Sequence, residues 1–80
     1  MNKKNLYNEI KILLSKTFFL DLKDINQNTK MEDVSNWDSL KHMTLILTLE
    51  EHFNIKFTGE EIVEMNNFNS IKESILKKIK

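Results

Sequence analysis

The spacing of apolar residues is the feature of this sequence that most constrains its fold. In the first stretch, apolar side chains recur at intervals of three or four positions, with polar residues between them: Leu6, Ile10, Leu13, Leu14 and Phe18. Residues at these intervals lie on one face of an α-helix. The spacing therefore predicts an amphipathic helix over about residues 4–18. We expect Asn2 or Asn5 to start it and residues 18–20 to anchor its end in the core.

Residues 39–53 form the most apolar predicted helix. Its apolar positions cover a wide arc: Leu40, Met43, Leu45, Ile46, Leu47, Leu49 and Phe53. An arc of that width predicts burial on more than one side, which places this helix at the centre of the fold. The remaining positions form the expected exposed strip: Lys41, His42, Thr44 and Thr48.

A polar segment, residues 20–38, separates these two helices. Ile25, Met31 and Val34 are spaced through it, and we expect them to pin the segment across the helices. A connection of that length without structure of its own is uncommon in a compact domain and tends to be functional. The loop therefore directs attention to the residues around its end.

A capping box marks a helix start, because a Thr or Ser side chain and a Glu three positions later each accept a hydrogen bond from the other residue's backbone N–H. Thr58 and Glu61 match this pattern after an extended segment at 54–57. They predict a short helix over about residues 59–65, and the asparagines that follow are expected to end it.

Ser70 and Glu73 match the same pattern and predict the start of the last helix. Apolar residues four positions apart line one side of it: Ile71, Ile75 and Ile79. The chain then has three longer helices, one short third helix and a long first loop. We predict an all-α fold, a small four-helix bundle, in which residues 1–80 form a single domain.

The composition excludes several kinds of site and partner. Twelve lysines balance twelve acidic residues, and there is neither arginine nor cysteine. Disulfides and thiolate zinc sites are therefore excluded, and a nucleic-acid partner ranks low because such binding normally requires a basic excess. Glu9, Lys11 and Lys16 interrupt the N-terminal apolar residues, unlike in a signal peptide, and no stretch is long enough to cross a bilayer. We expect a soluble, cytoplasmic protein.

Ser39 lies where the polar loop meets the most apolar helix. Asp38 is a preferred N-cap residue, so Ser39 falls in the first exposed turn of that helix. A hydroxyl there is held on a rigid element and lies in the positive end of the helix dipole. The position is therefore suited to a phosphate-linked group.

A set of motifs extends in order along nearly the whole chain: Asp38-Ser39-Leu40, Leu45, Leu49, Glu50, Phe53, Ile55, Phe68-Asn69-Ser70-Ile71, Ile75 and Ile79. Together with the order of the helices and the long first loop, this set resembles the acyl carrier protein family. The resemblance implies that a separate phosphopantetheinyl transferase, with magnesium held mainly in its own active site, attaches a 4'-phosphopantetheine arm from coenzyme A to Ser39. It also implies a carrier and not an enzyme, whose arm exchanges thioesters with acyl- or aminoacyl-loading enzymes and with acceptor enzymes.

The resemblance further implies a surface around Ser39 that partner enzymes recognise. The residues predicted for partner recognition are Trp37, Asp38, Leu40, Lys41, Met43 and Thr44. In similar carriers of fatty acid synthesis, acids are common at the positions of Lys41 and Thr44, and their replacement weakens steering toward basic partners. Trp37 before the motif also resembles stand-alone carriers of specialised pathways, and together with Lys41 and Thr44 it favours such a carrier over a general role in fatty acid synthesis. Trp37 leaves two alternatives open, a cover over the core or an exposed partner contact.

His42 follows Ser39 by one turn, as in a Ser–His nucleophile, but no third residue evidently orients the imidazole and no oxyanion hole is indicated. We expect a surface histidine near the phosphate of the arm, and a surface position for His52 without a metal. Candidates for lining a space for a carried chain are Met43, Ile46, Leu47, Ile62 and Ile75, with plain core packing as the favoured alternative. The alternative for the whole chain is a small helical interaction module without the prosthetic group. A monomer is the default expectation.

Overall fold

The structure, a computed structural model, describes residues 3–79, with side chains from residue 5 onward. Four α-helices follow one another along the chain: α1 (Lys3–Phe18), α2 (Ser39–Phe53), α3 (Gly59–Glu64) and α4 (Phe68–Ile79). Two single-turn 3-10 helices, Leu22–Asp24 and Met31–Asp33, interrupt the loop between α1 and α2. Residues 3–79 contain no β-strand and no helix that is long and apolar enough to span a membrane. The prediction of a small all-α four-helix bundle is confirmed.

The core is built from one face of each long helix, as the periodicity predicts. Its fully buried members include Leu6, Ile10, Leu14 and Phe18 on α1, Leu45, Ile46 and Leu49 on α2, and Phe68, Ile71 and Ile75 on α4. The short α3 buries none of its own residues and is followed at once by the fully buried Met65. The three long helices therefore hold the fold together, and α3 lies at its edge.

Both the start and the end of α1 differ from the prediction. The helix begins at Lys3, so Asn5 does not start it, while Asn2 lies outside the described residues. Phe18 is buried, but Phe19 is 81 % exposed and not part of the core. The cause is local, because Phe19 follows the helix in the left-handed conformation (φ 57°), which ends the helix. The N–H of Leu20 then donates to the carbonyl of Ser15 at 3.1 Å, which completes a Schellman motif.

Helix α2 is less buried than its wide apolar arc predicts. Leu45, Ile46 and Leu49 face the core, whereas Leu40, Met43 and Leu47 are exposed. The expectation of burial on more than one side is wrong, because the small bundle covers one face of α2 and the six-residue α3 leaves part of the arc uncovered. An apolar strip therefore remains on the surface along α2, beginning beside Ser39.

The long loop is fastened across the bundle, as predicted. Ile25 and Val34 are buried, and Met31 packs against the core. Two backbone hydrogen bonds tie the loop to the link between α3 and α4: Met31 N to Asn66 O at 2.8 Å, and Phe68 N to Thr29 O at 2.7 Å. Residues that follow Ser39 in the sequence thus hold the loop that precedes it.

The first capping box is confirmed. The N–H of Glu61 donates to Thr58 Oγ1 at 3.1 Å, and Glu61 Oε1 accepts from the N–H of Thr58 at 2.8 Å. The preceding segment has no regular structure, and its Ile55 and Phe57 pack against the core as expected. Helix α3 therefore starts where the sequence predicts.

The prediction of a second capping box at Ser70 is wrong. Helix α4 begins at Phe68, and the side-chain oxygen of Asn67 accepts from the N–H of Ser70 at 2.7 Å. Asparagine is as good a cap as serine, and the earlier start places Phe68 inside the helix with its ring in the core. Ser70 therefore lies in the first turn and does not cap the helix.

Candidate functional site

Ser39 is the first residue of α2, and Asp38 caps the helix as predicted. Asp38 has extended backbone, its Oδ1 accepts from the N–H of Lys41 at 2.9 Å, and its carbonyl accepts from the N–H of His42 at 2.8 Å. Asp38 and Ser39 are both exposed. The Ser39 hydroxyl is therefore accessible at a capped helix start, where the helix dipole favours a phosphate.

Trp37 fixes the residues before the cap to the end of α1. Its indole is only 3 % exposed and stacks on the ring of Phe18, with 4.8 Å between the ring centroids. Beside it, the side-chain amide of Asn36 donates to the carbonyl of Phe18 at 3.1 Å. The alternative of an exposed Trp37 is wrong, because the indole is buried against the ring of Phe18. The sequence alone leaves the two positions equally open.

His42 is a structural bridge, which corrects the expectation of a surface histidine. Trp37 Nε1 donates to His42 Nδ1 at 3.0 Å, and His42 Nε2 lies 2.7 Å from the carbonyl oxygen of Ile62. An indole N–H only donates, so Nδ1 must accept and Nε2 must hold the proton that is donated to Ile62 O. Both ring nitrogens are thereby engaged, which argues against a role as general base for Ser39. No sequence pattern indicates this bridge, because it joins α2 to α3 and to the loop.

The other residues predicted for partner recognition lie at the surface of the first turns of α2. Leu40 is 82 % exposed, and Met43 and Thr44 are exposed as well. Lys41 is half-buried, and its ammonium lies over the ring of Phe19, 5.3 Å from the centroid. Together with Asp38, these side chains surround Ser39 with a mixed surface of apolar groups, one cation and one carboxylate.

The candidates for lining a space for a carried chain are not brought together. Ile46 and Ile75 are buried and Ile62 is half-buried, whereas Met43 and Leu47 face outward. An open recess of about 550 Å³ lies elsewhere, between the loop and the α3–α4 link, and is lined by Lys30, Met31, Glu32, Trp37, Asn66 and Asn67. In this conformation, core packing accounts for the buried candidates.

His52 is exposed, as expected, and its Nε2 pairs with Glu9 Oε1 at 2.9 Å, which links α2 to α1. Among residues 3–79, no three His, Asp or Glu side chains cluster as metal ligands would. At the end of α2, Glu50 accepts from the N–H of Phe57 at 2.9 Å. These polar groups away from Ser39 therefore have structural partners.

A small helical bundle that presents an exposed, capped serine at the start of its second helix has the architecture of a carrier domain. The family described as "Phosphopantetheine attachment site" matches residues 8–75. The chain is 36 % identical over 67 residues to the acyl carrier protein of Buchnera aphidicola subsp. Baizongia pistaciae, covering 84 % of this chain and 85 % of that protein. It is 25 % identical over 67 residues to the acyl carrier protein of Chlamydia caviae, covering 84 % and 87 %. The chain belongs to the acyl carrier protein family of phosphopantetheine-binding carriers.

Members of this family are carriers with covalently attached 4'-phosphopantetheine, and are not catalysts. The described residues fit that group, because an accessible hydroxyl lies at the positive end of α2. The group supplies a thiol, which the chain itself lacks. A carrier of this kind requires a phosphopantetheinyl transferase and partner enzymes.

Proposed function

We propose that Ser39 is the attachment point of the phosphopantetheine arm, and that the arm holds acyl or aminoacyl intermediates as thioesters. The observation that supports this most directly is the exposed Ser39 at the start of α2, held in place by the Asp38 cap. Ser39 Oγ would attack the phosphorus that bears pantetheine in coenzyme A. A phosphodiester forms, the bond to adenosine 3',5'-bisphosphate breaks, and the Ser39 proton passes to a base of the transferase.

The test is an intact-mass measurement of the protein after incubation with coenzyme A and a broad-specificity transferase. The wild type should gain the mass of one phosphopantetheine, and Ser39→Ala should gain nothing. Ser35→Ala is the matched control, because Ser35 is also exposed and lies in the loop before the cap. No gain with any of several transferases would favour the alternative, a helical interaction module that has the fold without the prosthetic group.

The pathway proposal rests on the charges of α2. Near Ser39, α2 carries the cation Lys41 and the neutral Thr44. This part of α2 therefore complements an acidic partner surface better than a basic one. These side chains favour a carrier of a specialised biosynthetic pathway, with fatty acid synthesis as the alternative. We further propose that the carrier is stand-alone, monomeric and cytoplasmic. Complementation distinguishes the two: full rescue of a host that lacks its fatty-acid carrier would favour the general role.

A further inference from the structure

Phe19 combines two unfavourable features that folding alone does not explain. Its ring is 81 % exposed, and its backbone has the left-handed conformation, with φ 57°. A bulky side chain is strained in this region, which glycine and asparagine adopt more readily. Strained, exposed positions of this kind cluster at binding sites, where the conformation places a side chain for a partner.

The same chain contains an internal comparison. Helix α2 ends in the same motif, with Asn54 at the left-handed position (φ 55°) and the N–H of Ile55 donating to the carbonyl of Glu50 at 3.1 Å. Asparagine suits this position, whereas the aromatic ring of Phe19 contributes nothing to the turn that Asn54 does not supply. The side chain of Phe19 therefore needs an explanation outside the turn.

Contacts with α2 place Phe19 beside the attachment site. The Lys41 ammonium lies 5.3 Å from the ring centroid of Phe19, within the range of a cation–π interaction. Lys41 belongs to the first turn of α2, two residues after Ser39, and its N–H is bonded to the cap residue Asp38. Lys41 thus orients the ring of Phe19 at the margin of the surface that surrounds Ser39.

We propose that Phe19 and Lys41 form a docking contact for the phosphopantetheinyl transferase that modifies Ser39. This rests on the proposed function. An enzyme that brings coenzyme A to Ser39 Oγ must cover the first turn of α2, and with it Lys41 and the adjoining ring. The ring enters an apolar recess on the transferase, and the Lys41 ammonium pairs with a carboxylate at the rim of that recess. Removal of exposed apolar area and the charge pair both favour this complex.

The decisive variant is Phe19→Gly, because glycine prefers the backbone conformation that Phe19 adopts. Its melting temperature should equal or exceed that of the wild type, so slower modification by the transferase cannot be caused by unfolding. With a broad-specificity transferase and coenzyme A, kcat/KM for modification should fall about tenfold, as expected when one well-packed aromatic contact is lost. Ile12→Ala is the matched control, since Ile12 is an exposed apolar residue of α1, and it should be modified at the wild-type rate.

Lys41 provides an independent check on the coupling. Lys41→Ala should lower kcat/KM in the wild type and have a smaller effect in the Phe19→Gly background, because part of its role is to orient the ring. The unmodifiable Ser39→Ala protein should bind the transferase more tightly than Ser39→Ala/Phe19→Gly in a direct titration. Equal kcat/KM for wild type and Phe19→Gly, within twofold, would overturn the docking contact. No mass gain in the wild type would instead overturn the attachment proposal on which it rests.

Discussion

Trp37 and His42 are joined by a hydrogen bond of 3.0 Å from the indole Nε1 to Nδ1 of the imidazole, which couples the end of the loop to α2. His42→Ala would leave the buried indole N–H without an acceptor and would leave the carbonyl of Ile62 with the longer bond from the N–H of Met65, at 3.3 Å. An unsatisfied buried polar group costs about 1–3 kcal/mol. The free energy of unfolding, measured with urea, should fall by about that amount.

His52→Ala is the control for this prediction, because His52 is exposed and its pair with Glu9 lies at the surface. Its effect on the free energy of unfolding should stay below about 1 kcal/mol. Equal losses for the two variants would contradict the bridging role of His42. Modification of folded His42→Ala by the transferase is expected, because the imidazole is not needed as a base.

Two substitutions at Asp38 separate its role as a cap from its role as a charge. Asp38→Ala removes the acceptor for the N–H of Lys41 and should destabilise the protein by about 0.5–2 kcal/mol. Asp38→Asn keeps a side-chain oxygen, so its melting temperature should stay near that of the wild type. If the carboxylate also contacts the transferase, kcat/KM should fall in Asp38→Asn without loss of stability. A wild-type rate would leave the cap as the only function of Asp38.

Leu40 and Leu45 lie on the same helix but should respond differently to truncation. Leu45 is fully buried, so Leu45→Ala should destabilise the protein by about 2–5 kcal/mol. Leu40 is 82 % exposed, and Leu40→Ala should change the stability by no more than about 0.5 kcal/mol while slowing modification of Ser39. Thermal melts and intact-mass kinetics measure both effects. A normal rate in Leu40→Ala would remove Leu40 from the recognition surface.

Glu61 makes the stability of α3 depend on pH. The hydrogen bond with Thr58 and that with Lys78, whose Nζ lies 3.0 Å from Oε1, hold the pKa of Glu61 below its ordinary value of 4.5. The folded state therefore favours the ionised carboxylate, which stabilises the protein above the unfolded pKa. This contribution is lost as the pH falls through the lower, folded pKa.

The check is the melting temperature of wild type and Glu61→Gln as a function of pH. The wild type should be more stable at pH 7, and the difference should shrink once the pH falls below about 4.5, the ordinary pKa of the carboxyl. Glu60→Gln is the matched control, because Glu60 is an exposed glutamate of the same helix turn. A difference between wild type and Glu61→Gln that stays constant down to strongly acidic pH would contradict the assignment.

The bundle, the bounds of α2 and the Asp38 cap of that helix could be predicted, because they depend on local spacing and on side chains within one turn. The exposure of Phe19 and the position of Trp37 could not. Apolar character predicts burial for Phe19, which instead follows α1 in the left-handed conformation and lies exposed. For Trp37 the sequence leaves burial and exposure open, and the ring contact with Phe18 accounts for its burial.

The start of α4 illustrates a second limit. Asn67 and Ser70 are both competent caps, and the local pattern does not rank them. The choice depends on Phe68, whose ring enters the core beside Tyr7 of α1, with 5.0 Å between the centroids, and whose N–H bonds to the distant Thr29. Contacts between residues far apart in sequence therefore determine which cap is used.

The two hydrogen bonds between the long loop and the α3–α4 link also make the loop before Ser39 depend on residues that are synthesised after it. On the ribosome, Ser39 emerges well before α4, and at that moment Thr29 and Met31 still lack Phe68 and Asn66. The loop that positions Ser39 is complete only after α4 has been synthesised and has docked. If Ser39 carries the arm as proposed, chains truncated before Phe68 should be loaded more slowly than the full chain.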